Sequence, residues 1–200
     1  MTMVLSRTGR EERREARRKR MVDAALEEFS QRGFNDTSVD NIVARARASK
    51  TTFYEFFESK EDCVRVLIER EGGALIGRVV ATAVEGRGAR DHIRRGIRAF
   101  ITACHEHRAL ARVLLIEAVG VSGEVEEARR DISARFSHVV EEEVRHAQAR
   151  DPFYALVDAE VFGWAVVGAV HEAAMHFLAG RDEDPADFAD RLSRVFAPPD

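Results

Sequence analysis

Two lysines sit where a helix least favours them. Lys50 and Lys60 each follow a hydroxyl residue, Ser49 and Ser59, that opens a predicted helix, so each cation faces the positive end of a macrodipole. A phosphate at the same place gains from the dipole, the free N–H groups and the lysine together. Between the two lysines, Phe53, Phe56 and Phe57 form an apolar face. The opposite face keeps Lys50, Thr51, Tyr54 and Glu55, with Thr52 near its edge. A cation, hydroxyls and an aromatic in the first two turns of a short helix suit the reading of duplex DNA, with phosphates setting position and base edges carrying sequence. We expect DNA contacts from Thr37, Ser38, Arg47, Ser49, Lys50, Thr51, Thr52, Tyr54 and Lys60. Lys60 reads as a backbone clamp and Lys50 as a contact to phosphate or base.

Other reactive side chains form no catalytic or metal pattern. In "HEAAMH" (171–176) the histidines are five apart, about 500° of helical rotation, whereas a zinc-protease pair needs four. "EVRH" (143–146) is a single ExxH, and a di-iron bundle needs two plus two further glutamates. His105 and His107 are two apart and point to different sides of a helix. Cys63 and Cys104 lie in apolar helical context without zinc spacing, so buried free thiols in a reducing cytoplasm are expected. No nucleophile, base and orienting group come together. We expect no enzyme activity, no cofactor and no metal.

Composition fits a globular chain of 200 residues, 45% hydrophobic and 33% charged. The net charge of −4 is unevenly spread: residues 1–60 carry 13 Lys+Arg against 10 Asp+Glu, and the remainder 18 against 25. A basic end on an acidic body suggests a polyanion partner for that end only. There is no signal-peptide core, and the longest uncharged apolar run, 161–170, is about half a bilayer span. We expect a cytoplasmic protein without a membrane partner.

The apolar spacing is helical throughout and predicts an all-α fold of about nine helices. Residues 1 to about 12 read as disordered, with a first helix over about 15–32 ended by a left-handed Gly33. Val39, Ile42, Val43 and Ala46 mark a second over about 38–46, with Thr37 and Asp40 as its capping box. A third spans about 49–56, and a fourth runs from Ser59 to about 84 with Gly72-Gly73 as a place to bend. Helices five to eight read as about 91–107, 109–119, 124–149 and 154–179, and a ninth starts at Pro185. Residues 1–60 then form a three-helix DNA-binding domain, and 61–200 a larger helical regulatory and dimerisation domain.

Two short helices separated by Arg47-Ala48-Ser49 match a helix-turn-helix. The segment "RGFNDTSVDNIVARARASKTTFYEFFESKEDCV" (32–64) resembles the DNA-binding segment of the tetracycline-repressor (TetR) family of transcriptional regulators. The likeness rests on Gly33-Phe34, Thr37-Ser38, Ile42, Ala46, Ser49, Thr52, Tyr54, Phe57 and Ser59-Lys60-Glu61-Asp62. It implies a homodimer whose last two helices form a two-fold bundle, an operator partner and a small-molecule effector. The family usually has Gly where this chain has Arg47, and Thr51 replaces a second common Gly. Glu55 faces out of the reading helix, where a carboxylate repels phosphate. These departures bear on the operator sequence and not on the fold.

The body carries more apolar faces than one two-layer core needs. We expect a mainly apolar pocket within helices four to eight, lined by some of Phe100, Cys104, Leu114 and Phe136, with Glu117, Trp164 and His171. Helix eight has two apolar stripes, one with Val161, Trp164 and Gly168, the other with Phe162, Val166, Val170 and Phe177. Its own domain can cover one, and a second copy is the natural cover for the other. Helices 154–179 and 185–196 therefore read as the homodimer seam. The leading reading is a homodimeric repressor released from a palindromic operator by a small apolar ligand. A ligand-independent DNA-binding regulator and, far behind, a helical enzyme that binds a small molecule stay open at this point.

Overall fold

The arginine-rich start is helical. In the computed structural model, which describes residues 2–180 and 183–199 and side chains from residue 9 onward, α1 spans Thr2–Arg32. Disorder to about residue 12 was the expectation. The helix has its reasons in the sequence: residues 10–20 hold only Arg, Lys, Glu and Ala, all strong helix formers. Lys19 also pairs with Asp23 at 3.0 Å, and Arg13 Nε reaches back to the Gly9 carbonyl at 2.9 Å. Gly33, at φ 82°, then turns the chain.

Eight further helices follow: α2 (Val39–Arg45), α3 (Lys50–Tyr54), α4 (Lys60–Ala83), α5 (Ala89–Glu106), α6 (Arg108–Arg112), α7 (Gly123–Ala147), α8 (Ala159–Leu178) and α9 (Pro185–Phe196). No strand occurs among the described residues. Two differ from the sequence reading. α6 is a single α-helical turn that runs into a π-helical one, Val113–Glu117, in which the Ala118 N–H reaches the Val113 carbonyl at 3.0 Å. α8 starts at Ala159 because Asp158 caps it, its Oδ1 accepting from the Val161 N–H at 3.1 Å. The residues before it form turns anchored by the buried Tyr154, whose hydroxyl donates to the Phe196 carbonyl at 3.0 Å.

Two apolar clusters hold the chain. One joins α1, α2, α3 and the first half of α4 to Val113, Leu114 and Ala118 and to the start of α7. Met21, Phe29, Ile42, Phe53, Phe57 and Leu67 are all fully buried in it. The other joins α5, the end of α7, α8 and α9. α4 shows no break at Gly72: a Cβ there would lie 2.9 Å from Ile132 Cδ1, so this glycine lets α4 approach α7. Glu28 and Arg45 fix α1 to α2. The buried Glu28 carboxylate accepts from Arg45 Nε at 2.5 Å and Arg32 Nε at 3.0 Å.

Candidate nucleic-acid interface and ligand cavity

Ser38 rather than Thr37 caps α2. Its Oγ accepts from the Asn41 N–H at 3.2 Å, and Asn41 Oδ1 accepts from the Ser38 N–H at 2.9 Å. Thr37 is buried, and its hydroxyl donates to the Gly33 carbonyl at 2.7 Å. It fixes the turn after α1, so its side chain is withdrawn from the surface where a DNA contact was expected. Arg47 takes the turn between α2 and α3 at φ 51°, the only non-glycine residue in the left-handed region among those described. That conformation costs on the order of 1 kcal/mol.

α3 is short, five residues, and Ser49 caps it by accepting from the Thr52 N–H at 3.1 Å. The Ser49 and Thr52 hydroxyls also bond each other at 3.0 Å. Phe53 and Phe57 are buried beneath it, and Arg14 and Arg18 of α1 lie over the Phe56 and Phe57 rings at 5.4 and 6.0 Å. Facing out are Lys50, Thr51 and Tyr54, with Tyr54 57% exposed and edge-on to Phe53. Lys50 Nζ lies 2.9 Å from the Asp40 carboxylate across the turn, and that hydrogen bond raises its pKa above the ordinary lysine value. A phosphate approaching Lys50 must compete with Asp40. Lys60 has a second task that spacing did not reveal. It donates to the Phe34 carbonyl at 2.7 Å and the Thr37 carbonyl at 2.8 Å, with Nζ 4.1 Å from the Phe34 ring centroid. Burial pulls its pKa below the usual value, against the opposing charges of Glu61 and Asp36. The ammonium thus ties α4 to the turn after α1, leaving one N–H for a phosphate.

Behind this head, α4, α5, the π turn, α7 and α8 surround an apolar cavity of about 190 Å³. Val79 and Leu75 of α4, Ile97 and Phe100 of α5, and Val166 and Val170 of α8 form much of its wall. Phe100 meets Phe136 edge to face at 5.9 Å. Few polar groups interrupt it. Arg129 is held by Glu126 at 3.0 Å. His171 Nε2 is buried without a partner. Burial and the Arg129 charge lower the His171 pKa, against the Leu115 backbone and Glu172. At the far end His92 Nδ1 meets Glu143 at 2.7 Å, while Nε2 meets the Gly86 carbonyl at 3.2 Å.

A surface helix-turn-helix joined to a hollow helical body is an arrangement with known relatives. Residues 21–67 match the N-terminal domain described as "Bacterial regulatory proteins, tetR family". Residues 86–197, more than half of the chain, match the tetracyclin repressor-like C-terminal domain. The chain belongs to the tetR family. Among curated proteins, the tetR-family chain is 27% identical to the HTH-type transcriptional regulator YdgC of Bacillus subtilis, over 86% of both chains. Among solved structures it is similar to the transcriptional regulator FadR from Bacillus subtilis in complex with stearoyl-CoA. That match has a TM-score of 0.80 and 17% identity, over 90% of this chain and 97% of the other. AibR in complex with isovaleryl coenzyme A and operator DNA gives a TM-score of 0.73 and 20% identity, over 92% of this chain and 99% of the other.

The tetR-family body sorts the expected pocket residues. Phe100, Leu114, Phe136 and His171 line the cavity. Cys104 lies at a smaller void of about 20 Å³ beside it, with burial pushing its thiol up to about 12. Glu117 does not face the cavity. It pairs with Arg112 Nε at 3.1 Å, and its Oε2 lies 3.0 Å from where a Cβ on Gly33 would stand. Trp164 is 48% exposed on the outer face of α8, because the Phe162 stripe turned inward. Arg129 was missed although it shares a face with Ile132, Phe136 and Glu143, at spacings of three, seven and fourteen. Among the described residues no three His, Cys, Asp or Glu side chains could hold a metal together.

His92 makes a testable link to pH. Burial lowers its pKa, but the Glu143 hydrogen bond and charge, with the Gly86 carbonyl, outweigh that and raise it above 6.5. A raised folded pKa gives stability that is complete below about pH 6.5 and is lost as pH climbs through the folded value. Glu143→Gln removes the carboxylate. The melting-temperature gap between the original chain and this variant should be widest near pH 6 and narrow steadily towards about pH 9. A gap constant over that range would mean the pair does not titrate as described.

Proposed function

We propose that this tetR-family chain is a homodimeric cytoplasmic repressor, held on a roughly palindromic operator and released when a small, mainly apolar molecule fills its cavity. In this reading residues 1–60 bind DNA and residues 61–200 bind the ligand and the second copy. The observation that supports it most is the double placement of Leu114. Its side chain lines the cavity and also belongs to the apolar cluster that seats α1 to α3. A ligand pressing on the π turn therefore acts on the seat of the recognition helix. Because recognition helices in a dimer fit two major-groove segments about 34–36 Å apart, a ligand that favours another spacing weakens binding by population shift. The acyl thioesters bound by the similar FadR and AibR folds make that class the first to try.

The test is selection of bound duplexes from a random pool, repeated with acyl-CoAs present. Affinity for the selected duplex should fall steeply as salt rises. Tyr54→Ala should weaken the selected duplex about tenfold and random DNA hardly at all, the size of a lost base contact. Lys60→Ala should weaken both alike, through its remaining phosphate contact and through the turn that it holds. Equal losses on both DNAs for Tyr54→Ala would remove it from the reading face, and a duplex indifferent to every effector tried would favour a ligand-independent regulator.

A further inference from the structure

We propose that the apolar cavity is one half of a two-part site, and that the arginine-lined cleft at the start of α5 is the other half, receiving the phosphate-bearing head of an acyl-chain ligand. This rests on the ligand-released reading above. The cleft, of about 370 Å³, adjoins the cavity through the His92–Glu143 pair, which lines both. Their chemistry differs sharply on the two sides of that pair. Inside, the walls are Ile93, Phe136 and Val140; outside, they are Arg87, Arg94, Arg150 and His146.

The acidic groups in the cleft are already engaged. Asp151 is gripped by Arg90 through two bonds of 2.6 Å. Asp91 accepts from the Arg87 backbone N–H at 3.0 Å and from Arg95 at 3.1 Å. Glu143 holds His92. Arg87, Arg94 and Arg150 form no ion pair among the described residues, and Arg94 Nε is buried with no hydrogen-bond partner. A buried guanidinium N–H without an acceptor is costly, and a ligand oxygen would relieve it. The first turn of α5 adds to the same field. Gly88 gives it no side-chain cap, so the dipole and open N–H groups face the cleft. Three unpaired guanidiniums beside a helix start match several phosphate oxygens better than one carboxylate.

The shape agrees with one molecule occupying both halves. Glu143 at the cleft and Arg129 at the inner end lie fourteen residues apart on α7, about 21 Å at 1.5 Å per residue. The face between them carries Ile132, Phe136, Val139 and Val140. A chain lying along that face leaves its head among the arginines and its tail beside the π turn. The His92–Glu143 pair is the threshold between the two and shifts aside for the join.

Calorimetric titration of the protein tests this with acyl-CoAs from acetyl to stearoyl, the matching fatty acids and coenzyme A alone. The best acyl-CoA should bind at least about tenfold more tightly than its fatty acid and than coenzyme A. Arg94→Gln, and separately the exposed pair Arg87→Gln with Arg150→Gln, should erase that advantage while fatty-acid affinity stays. Thermal melts check that the variants fold, and the exposed pair stands if Arg94→Gln does not. A fatty acid or coenzyme A matching the thioester, wild-type acyl-CoA affinity in the exposed pair, or no acyl-CoA binding would overturn the assignment. Operator release on the same samples separates the two readings. Arginine-dependent binding without release would refute the repressor reading and leave the cleft; release by the acid as well as its thioester would do the reverse.

Discussion

Trp164→Glu is expected to leave a folded chain that runs near 22.5 kDa in light scattering, where the original is expected at twice that mass. The same variant should bind a two-half-site operator about 10²–10⁴-fold more weakly, the advantage that linking two binding modules supplies. The argument starts from α8. Its inward face, with Gly163, Val166, Val170, Ala174 and Phe177, is buried against its own subunit. Its outward face leaves Val161 64% and Trp164 48% exposed, and Val195 of α9 is 65% exposed. Large apolar side chains grouped on one surface mark a contact with another protein. A carboxylate in the middle of such a contact must give up its water or take up a proton, and either one weakens the contact. The fold itself should survive, since the side chain is half exposed on the outer face of α8 and belongs to neither apolar cluster. Retention of the dimer, or monomers with undiminished operator affinity, would place the seam elsewhere.

The fold was legible because its punctuation is local. Ser49, Ser59, Asp184 and Pro185 open helices where their types say they should, and Gly33 closes one. The slip at α2 shows the limit. Thr37 and Ser38 are adjacent hydroxyls with acceptable partners three residues on, and only the direction of the Thr37 side chain, towards Gly33, decides between them. The π turn was invisible for a related reason: an apolar run such as Val113-Leu114-Leu115-Ile116 does not record how many residues make one turn. The same holds for the beginning of α1, where strong helix formers outweighed the repulsion of like charges.

The site was legible in part, and the misses share one cause. Periodicity on α7 placed Phe136 on the cavity wall, and the same count would have placed Arg129. On α8 it gave two apolar stripes without saying which faces inward, and it put Trp164 and His171 on the same one, whereas Trp164 stands on the outer face and His171 lines the cavity. Glu117 looked like a ligand group because it shares a stripe with Leu114, but the π turn rotates it towards Arg112 and Gly33. In sequence Lys60 reads as a cation at the positive end of a helix. What holds it, two carbonyls 26 and 23 residues earlier, exists only once the chain has turned back. The His92–Glu143 pair, 51 residues apart, is hidden in the same way.

Gly163→Ala is expected to destabilise the chain by about 1–3 kcal/mol, although alanine is the better helix former by about 1 kcal/mol. A Cβ at Gly163 would stand 2.6 Å from the Ser137 carbonyl oxygen and 2.8 Å from its Oγ. The hydroxyl can rotate away. The carbonyl is backbone in the middle of a 25-residue helix, so relief requires α7 and α8 to separate. Those helices carry Phe136, Val139, Val166 and Val170, so the same separation widens the cavity, and ligand affinity should change together with the melting temperature. Gly168 provides the comparison. It lies on the exposed face of the same helix with nothing within 4 Å of a Cβ in its own subunit. In an isolated subunit Gly168→Ala should therefore be neutral or stabilising by up to about 1 kcal/mol. If a second copy approaches closely there, the substitution should instead weaken the dimer while leaving the subunit fold intact. Dilution series followed by light scattering, alongside thermal melts, distinguish these outcomes. Equal melting temperatures for Gly163→Ala and the original chain would show that α7 and α8 are not packed as closely as described.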